Sequence, residues 1–302
     1  MSSSVQVSVS PYIVVARLSN RLAPAFITRV RAARGFIFDM DGTLIVGNEH
    51  AEGFVPLPGA IETLQALTAN NVPFLVFTNG TGKTPAAYAA SLRAVGLPVP
   101  DQQMMTPASS AAAWFVAKGI RRVRVLGGEG IASPFRTAGL IPVSADAQNE
   151  AVEALFTGQF REFMVTHLEI ATNDIWSGAL PTSASNVPFF AAKGGRAIGT
   201  SFAITAALTA ITGKRARILG KPSRDALWLA IRALGLPRAA AHEVVVVGDD
   251  PALEMAMARS GGAMSIGLTA GLTTAEGFSK QPPSRQADAV LPDLMALAEL
   301  WS

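Results

Sequence analysis

Two carboxylates one residue apart, Asp39 and Asp41, follow the apolar run Phe36-Ile37-Phe38 and lead into Gly42-Thr43. The run reads as a buried strand. Side chains at i and i+2 of a strand share a face, so both acids can start on the same side where the strand ends. Like charges that close repel unless a cation or a shared proton intervenes. Gly42 lets the chain turn where a side chain would obstruct it. The chemistry open to such a pair is oxygen ligation of a hard cation such as Mg²⁺, with one carboxylate as a nucleophile toward phosphorus and the other as a proton carrier.

Three more apolar runs end in polar residues. Pro73 to Phe77 runs into Thr78-Asn79-Gly80, Ala216 to Leu219 into Gly220-Lys221-Pro222-Ser223, and Glu243 to Val247 into Gly248-Asp249-Asp250. Open parallel sheets bind ligands outside the carboxyl ends of their strands. The four ends can therefore converge although they are spread over 210 residues. Asp249 would add a carboxylate for a cation. Thr78, Asn79 and Lys221 would supply donors for phosphate oxygens. Asp250 precedes Pro251 at a helix start, so it reads either as the N-cap, which is preferred, or as a neighbour of the metal. Glu254 follows on the same helix.

These ends need elements to position them. Helical spacing appears at Ile61, Leu64 and Leu67, Thr84-Pro85 opens a helix that Gly96 closes, and Ser109 to Lys118 reads as helical. Gln103 to Thr106 and Arg122 to Leu126 read as strands. Val46 to Pro58 reads as a polar loop. Ser223 caps a helix through Leu234, Pro251 starts one to Arg259, and strands recur at Ala263 to Ile266 and Ala289-Val290. Alternating strands and helices predict an α/β fold with a doubly wound, Rossmann-like parallel sheet. From Gly127 to about Lys193 the pattern is mixed and reads as a separate α/β segment. There His167, Glu169, Asn173 and Asp174 are expected at the surface, with substrate contact as the alternative, and Trp176, Phe189 and Phe190 in its core.

With 302 residues, 49% apolar and 16% charged, the chain can bury a large core. It has no Cys and three His, which excludes disulfides and Cys-based metal sites and disfavours a His-rich one. The net charge of +3 comes from Arg17, Arg21, Arg29, Arg31 and Arg34 ahead of Asp39; without them the remainder stands at −2. No nucleic-acid-binding stripe and no membrane span is expected. The Arg- and Ser-rich first residues read as an extension, with a targeting peptide as the alternative to a cytoplasmic location. Gly82-Lys83-Thr84 resembles the end of a P-loop, but Phe77 stands where that motif needs Gly.

The four ends, taken in order, resemble the haloacid dehalogenase superfamily of phosphohydrolases. Asp39-Met40-Asp41-Gly42-Thr43 matches its first motif, Phe77-Thr78-Asn79 the second, Gly220-Lys221-Pro222 the third and Gly248-Asp249-Asp250 the fourth. The long separation of the second and third is similar to the subclass with a large α/β cap inserted after the third strand, which includes phosphoglycolate and 4-nitrophenyl phosphatases. The resemblance implies an extension at 1–34, a discontinuous core at 35–106 and 196–302, and a cap at 107–195. It implies Asp39 as nucleophile, Asp41 as general acid and base, and Thr78, Asn79 and Lys221 on the phosphoryl group. Mg²⁺ would be held by Asp39, the backbone carbonyl of Asp41, and Asp249. Glu254 departs from the Asp often found there, and whether its longer carboxylate serves in that place is left open. The implied function is Mg²⁺-dependent hydrolysis of a small phosphorylated metabolite (a sugar phosphate, a phosphoglycolate-like acid or a nucleotide), in a chain that could pair as a homodimer. Phosphoryl transfer to an acceptor other than water, and phosphate-ligand binding without turnover, are the alternatives.

Overall fold

A strand that must be covered on both faces reads as an unbroken apolar run, and Phe36 to Phe38 is one. The computed structural model of the chain describes residues 23–47, 53–192 and 195–300. Its strands are β1 (Gly35–Phe38), β2 (Ile45–Gly47), β3 (Phe54–Pro56), β4 (Phe74–Phe77), β5 (Met104–Met105), β6 (Arg122–Leu126), β7 (Ile141–Ser144) and β8 (Ala154–Thr157). They continue with β9 (Leu180–Ser183), β10 (Phe189–Ala192), β11 (Gly195–Ile198), β12 (Arg217–Ile218), β13 (Val244–Gly248), β14 (Met264–Leu268) and β15 (Ala289–Leu291).

The core sheet is parallel, in the order β15-β14-β13-β1-β4-β5. Its side chains alternate between two layers, as period 2 requires. Phe36, Phe38, Val245 and Val247 face one layer, filled by Leu64, Leu67 and Leu92. Ile37, Val244 and Val246 face the other, with Ala226, Leu227 and Ile231 of helix Arg224–Ala233. This is a Rossmann-like α/β core. β1 lies between β13 and β4, with Phe38 opposite both Val247 and Val76. The polar residues that follow these three strands therefore emerge side by side.

A second parallel sheet has the order β12-β9-β8-β6-β7, beside an antiparallel β10–β11 hairpin. Val123, Val125 and Phe156 fill one of its faces together with Ala111 and Phe115 of helix Pro107–Lys118. Leu126 and Leu155 fill the other with Ile204 and Leu208 of helix Thr200–Thr212. The expected end of the cap at 195 is corrected by this packing: the helix at 200–212 and the edge strand β12 both belong to the cap sheet. A two-residue strand carries no periodicity that could assign it to either sheet.

The expected break at 34 also moves. Phe26, Ile27 and Val30 of helix Pro24–Arg31 are buried in the first core layer, and Arg34 pairs with Glu243 at 3.0 Å. The rest of the Arg- and Ser-rich extension lies outside the described residues. The expected loop at 46–58 contains the antiparallel β2–β3 pair. Pro251 opens a π-helical turn, Pro251–Met255, ahead of the α-helix Ala256–Gly261. Among the described residues, no helix is long and apolar enough to cross a membrane.

Inside the cap two expectations reverse. Trp176, Phe189 and Phe190 are exposed, whereas His167 is buried and stacks on Phe160. The His167 Nδ1 accepts from the Met164 N–H at 3.0 Å, so Nε2 carries the proton given to Asp146 at 2.6 Å. Asp174, expected at the surface, pairs with the buried Arg124 guanidinium.

Candidate active site

Asp39 continues the ladder of β1, its N–H donating to the Val247 carbonyl at 2.9 Å, and its side chain is buried. The Lys221 ammonium donates to Asp39 Oδ1 and lies 2.6 Å from Glu254 Oε1. All three are almost inaccessible to solvent. Lys221 was expected at the end of a core strand. It arrives instead three residues beyond β12, the edge of the cap sheet.

Asn79 holds it there. The Asn79 amide donates to the Lys221 carbonyl and accepts from the Lys221 N–H, each at 2.9 Å. The amide expected on phosphate is thus committed to the backbone of the phosphate-binding candidate. Thr78 accepts the Gly80 N–H at 3.0 Å and donates to Asp41 Oδ2 at 3.4 Å.

Asp249 is buried and its Oδ2 accepts from the Leu272 N–H at 2.7 Å. A Cβ at Gly42 or at Gly271 would overlap its carboxylate, and Gly42 has φ +81°, so both loops close on Asp249 only because they are glycine there. Asp250 is the N-cap of the π-helical turn: its Oδ1 accepts from the Ala252 N–H at 2.7 Å. Glu254 reaches back under β13, its Oε2 accepting from the Asp250 N–H at 3.2 Å. A side chain at Gly248 would collide with it.

The Gly271-Leu272 loop, Thr81 and Tyr88 were not anticipated in the sequence. A Gly shortly after the β14 run was the available signal for the first. The burial of a Thr and a Tyr had none.

Charge crowding is visible in the proton affinities. Burial, then the charge of Asp39, pushes the Asp249 carboxyl up to about 7, against the Leu272 N–H and Lys221. Asp41 opens to solvent on one side but is otherwise walled by protein; burial and Asp39 push it up to about 6, against Lys221 and the Thr78 hydroxyl. Burial pushes Glu254 up to about 8, against the opposing pull of Lys221. Burial alone would lower Lys221, but Asp39 and then Glu254 more than reverse this and keep it charged.

Comparison with known proteins places this geometry. The haloacid dehalogenase-like hydrolase description matches residues 36–141, and a second, HAD-hydrolase-like, matches residues 218–297. The two matches flank most of the cap and contain the whole constellation around Asp39. The chain belongs to the haloacid dehalogenase-like hydrolases. Dihydroxyacetone phosphatase of Corynebacterium glutamicum is 28% identical over 88% of this hydrolase and 91% of its own length. The p-nitrophenyl phosphatase structure from Archaeoglobus fulgidus superposes with a TM-score of 0.77 at 25% identity, covering 88% of this chain and 98% of that one. Glycerol phosphate phosphatase of Mycobacterium tuberculosis, in complex with magnesium, has a TM-score of 0.77 at 25% identity, covering 89% and 77%.

The donor set of this hydrolase fits a divalent cation of the Mg²⁺ kind. Among the described residues there is no cage of three or more acidic, His or Cys side chains. The site offers two buried carboxylates, Asp39 and Asp249, with the Asp41 carbonyl between them in the chain. That is the small oxygen set of an ion that keeps waters and substrate phosphate in its shell. Burial and then the charge of Asp39 raise Asp249, and a cation between the two would relieve that charge.

A stability prediction follows. The folded pKa values of Asp41, Asp249 and Glu254 lie above their unfolded values, 3.8 for the Asp side chains and 4.5 for Glu. The folded state then binds more protons than the unfolded one, so stability is greatest below the unfolded values and is lost as pH rises through about 6 to 8. The metal-free protein is expected to melt at a lower temperature at pH 8 than at pH 5, and millimolar Mg²⁺ to raise the pH 8 value most. A melting temperature indifferent to Mg²⁺ at pH 8 would count against the cation site.

Proposed function

We propose that this hydrolase is a Mg²⁺-dependent phosphatase acting on a small phosphomonoester through an aspartyl-phosphate on Asp39. The observation that carries the reading is the buried Asp39 beside Lys221, with a second carboxyl, Asp41, whose pKa burial and Asp39 raise to about 6. Asp39 attacks phosphorus in line; the ester P–O bond breaks as the Asp39–phosphorus bond forms. Asp41 gives its proton to the leaving oxygen, a role its pKa of about 6 suits. Thr78 and Lys221 donate to the phosphoryl oxygens, and Asn79 keeps Lys221 in register. Asp41 then takes a proton from water as its oxygen attacks phosphorus, releasing inorganic phosphate and Asp39. The cation, when bound by Asp39, the Asp41 carbonyl and Asp249, supplies the positive charge that lets two anions meet.

Relatives named as dihydroxyacetone, acid sugar and glycerol phosphate phosphatases favour a small sugar or polyol phosphate. The near-neutral body supports a small metabolite over nucleic acid or a membrane surface. Cytoplasmic action and a homodimer belong to the same reading; sedimentation tests the latter. A metal-supplemented screen of three-carbon, sugar, phosphoglycolate-like, nucleotide and aryl phosphates is expected to show hydrolysis that EDTA stops. No hydrolysis across the whole panel would overturn the proposal.

A further inference from the structure

Thr81 is almost wholly buried, yet it makes none of the contacts described around Asp39. Its Oγ1 accepts the N–H of Gln159, two residues beyond the end of cap strand β8, at 2.7 Å. The cap approaches it through glycines. A Cβ at Gly158 would stand 2.8 Å from the Thr81 hydroxyl, and a Cβ at Gly130 would overlap the Thr81 carbonyl oxygen. On the other side of Thr81, Gly80 donates to the Thr78 hydroxyl at 3.0 Å and packs so closely on the Tyr88 phenol that a Cβ would overlap its oxygen. Asn79 clamps Lys221. Residues 78 to 81 thus run without a break from the phosphate-binding candidates to the cap.

We infer that Thr81 is a positioning residue whose hydroxyl keys the end of cap strand β8 to the loop that carries Thr78 and Asn79. This rests on the phosphatase reading for its kinetic consequence, though not for the docking itself. The physical case is the close packing around the buried Thr81. Gly158 and Gly130 press against the hydroxyl and the carbonyl of Thr81, so a methyl group in the place of the hydroxyl fills its space and leaves the Gln159 N–H without its acceptor. The loop then has no fixed seat, and small displacements of positioning groups are costly to turnover.

The test compares Thr81→Val, which keeps the shape and removes the acceptor, with Thr81→Ser, which restores it, in the full chain. Thr81→Ala repeats the reading if the valine variant does not fold. In the valine variant, amide hydrogen exchange of Gly158 to Phe160 and Gly80 to Lys83 is expected to rise about 10-fold, with β1 and β13 unchanged. The kcat on p-nitrophenyl phosphate is expected to fall by about 10-fold with little change in KM, and serine to restore both readouts. Unchanged exchange at both segments would overturn the docking. Raised exchange with unchanged kcat would overturn the positioning role. A wild-type protein that does not turn over the ester would overturn the phosphatase reading alone, and the exchange measurement would still decide the docking.

Discussion

In the Asp39→Asn variant, kcat on an aryl phosphate is expected to fall by on the order of 10⁴-fold or more, with the circular dichroism of the fold unchanged. The amide is nearly the shape of the carboxylate but cannot form the bond to phosphorus. The fold should survive because Lys221 keeps Glu254 at 2.6 Å and the ladder bond from the Asp39 N–H to Val247 does not involve the side chain. A second readout follows from the electrostatics. Asp39 helps to raise both Asp41 and Asp249, so its loss should lower both and flatten the decline in metal-free stability between pH 5 and pH 8. A variant that still turns over at close to the wild-type rate would remove Asp39 from the nucleophile's role.

Lys221→Met is expected to destabilise the protein by about 3–5 kcal/mol at pH 8, as removal of one partner from a buried charge cluster does. The ammonium lies between two buried carboxylates, Asp39 and Glu254, and methionine fills the space without the charge. Glu254, already pushed up to about 8, would lose the Lys221 charge that pulls it down. The folded pKa of Glu254 would lie still higher above its unfolded value, so the deficit should be smaller at pH 5, where Glu254 is protonated, and larger at pH 8. Urea unfolding at the two pH values measures this. Equal deficits at both would assign the loss to packing rather than to charge. Turnover should disappear with it, since the phosphoryl group loses a buried donor.

The two predictions differ in how far the sequence alone could have led to them. Asp39, its neighbour Asp41 and the strand before them were legible because the relevant spacing is local. Period 2 places Phe36 and Phe38 on one layer and Ile37 on the other, as the structure shows. The parallel core sheet was legible from the same kind of pattern, repeated at Pro73 to Phe77 and Glu243 to Val247. Asp250 was legible as a cap, because an Asp before Pro at a helix start is a local signal that the bond to the Ala252 N–H bears out.

What lay across the fold was not legible. Nothing near Glu254 in the chain announces that its carboxylate turns to Lys221, or that Gly248 is glycine to let it pass. Asn79 reads as a phosphate donor until its amide is seen clamped to a backbone 142 residues away. Sequence by itself determined the α/β alternation, the apolar strands and the polar residues waiting at their ends, because these depend on spacings of two to four residues. Only the tertiary structure decided that Lys221 comes in from the cap's edge strand and that the Thr81 hydroxyl takes the Gln159 N–H of the cap. Buried charges and buried hydroxyls take whichever partner the packing brings within hydrogen-bond reach, and that reach is a distance in space, not along the chain.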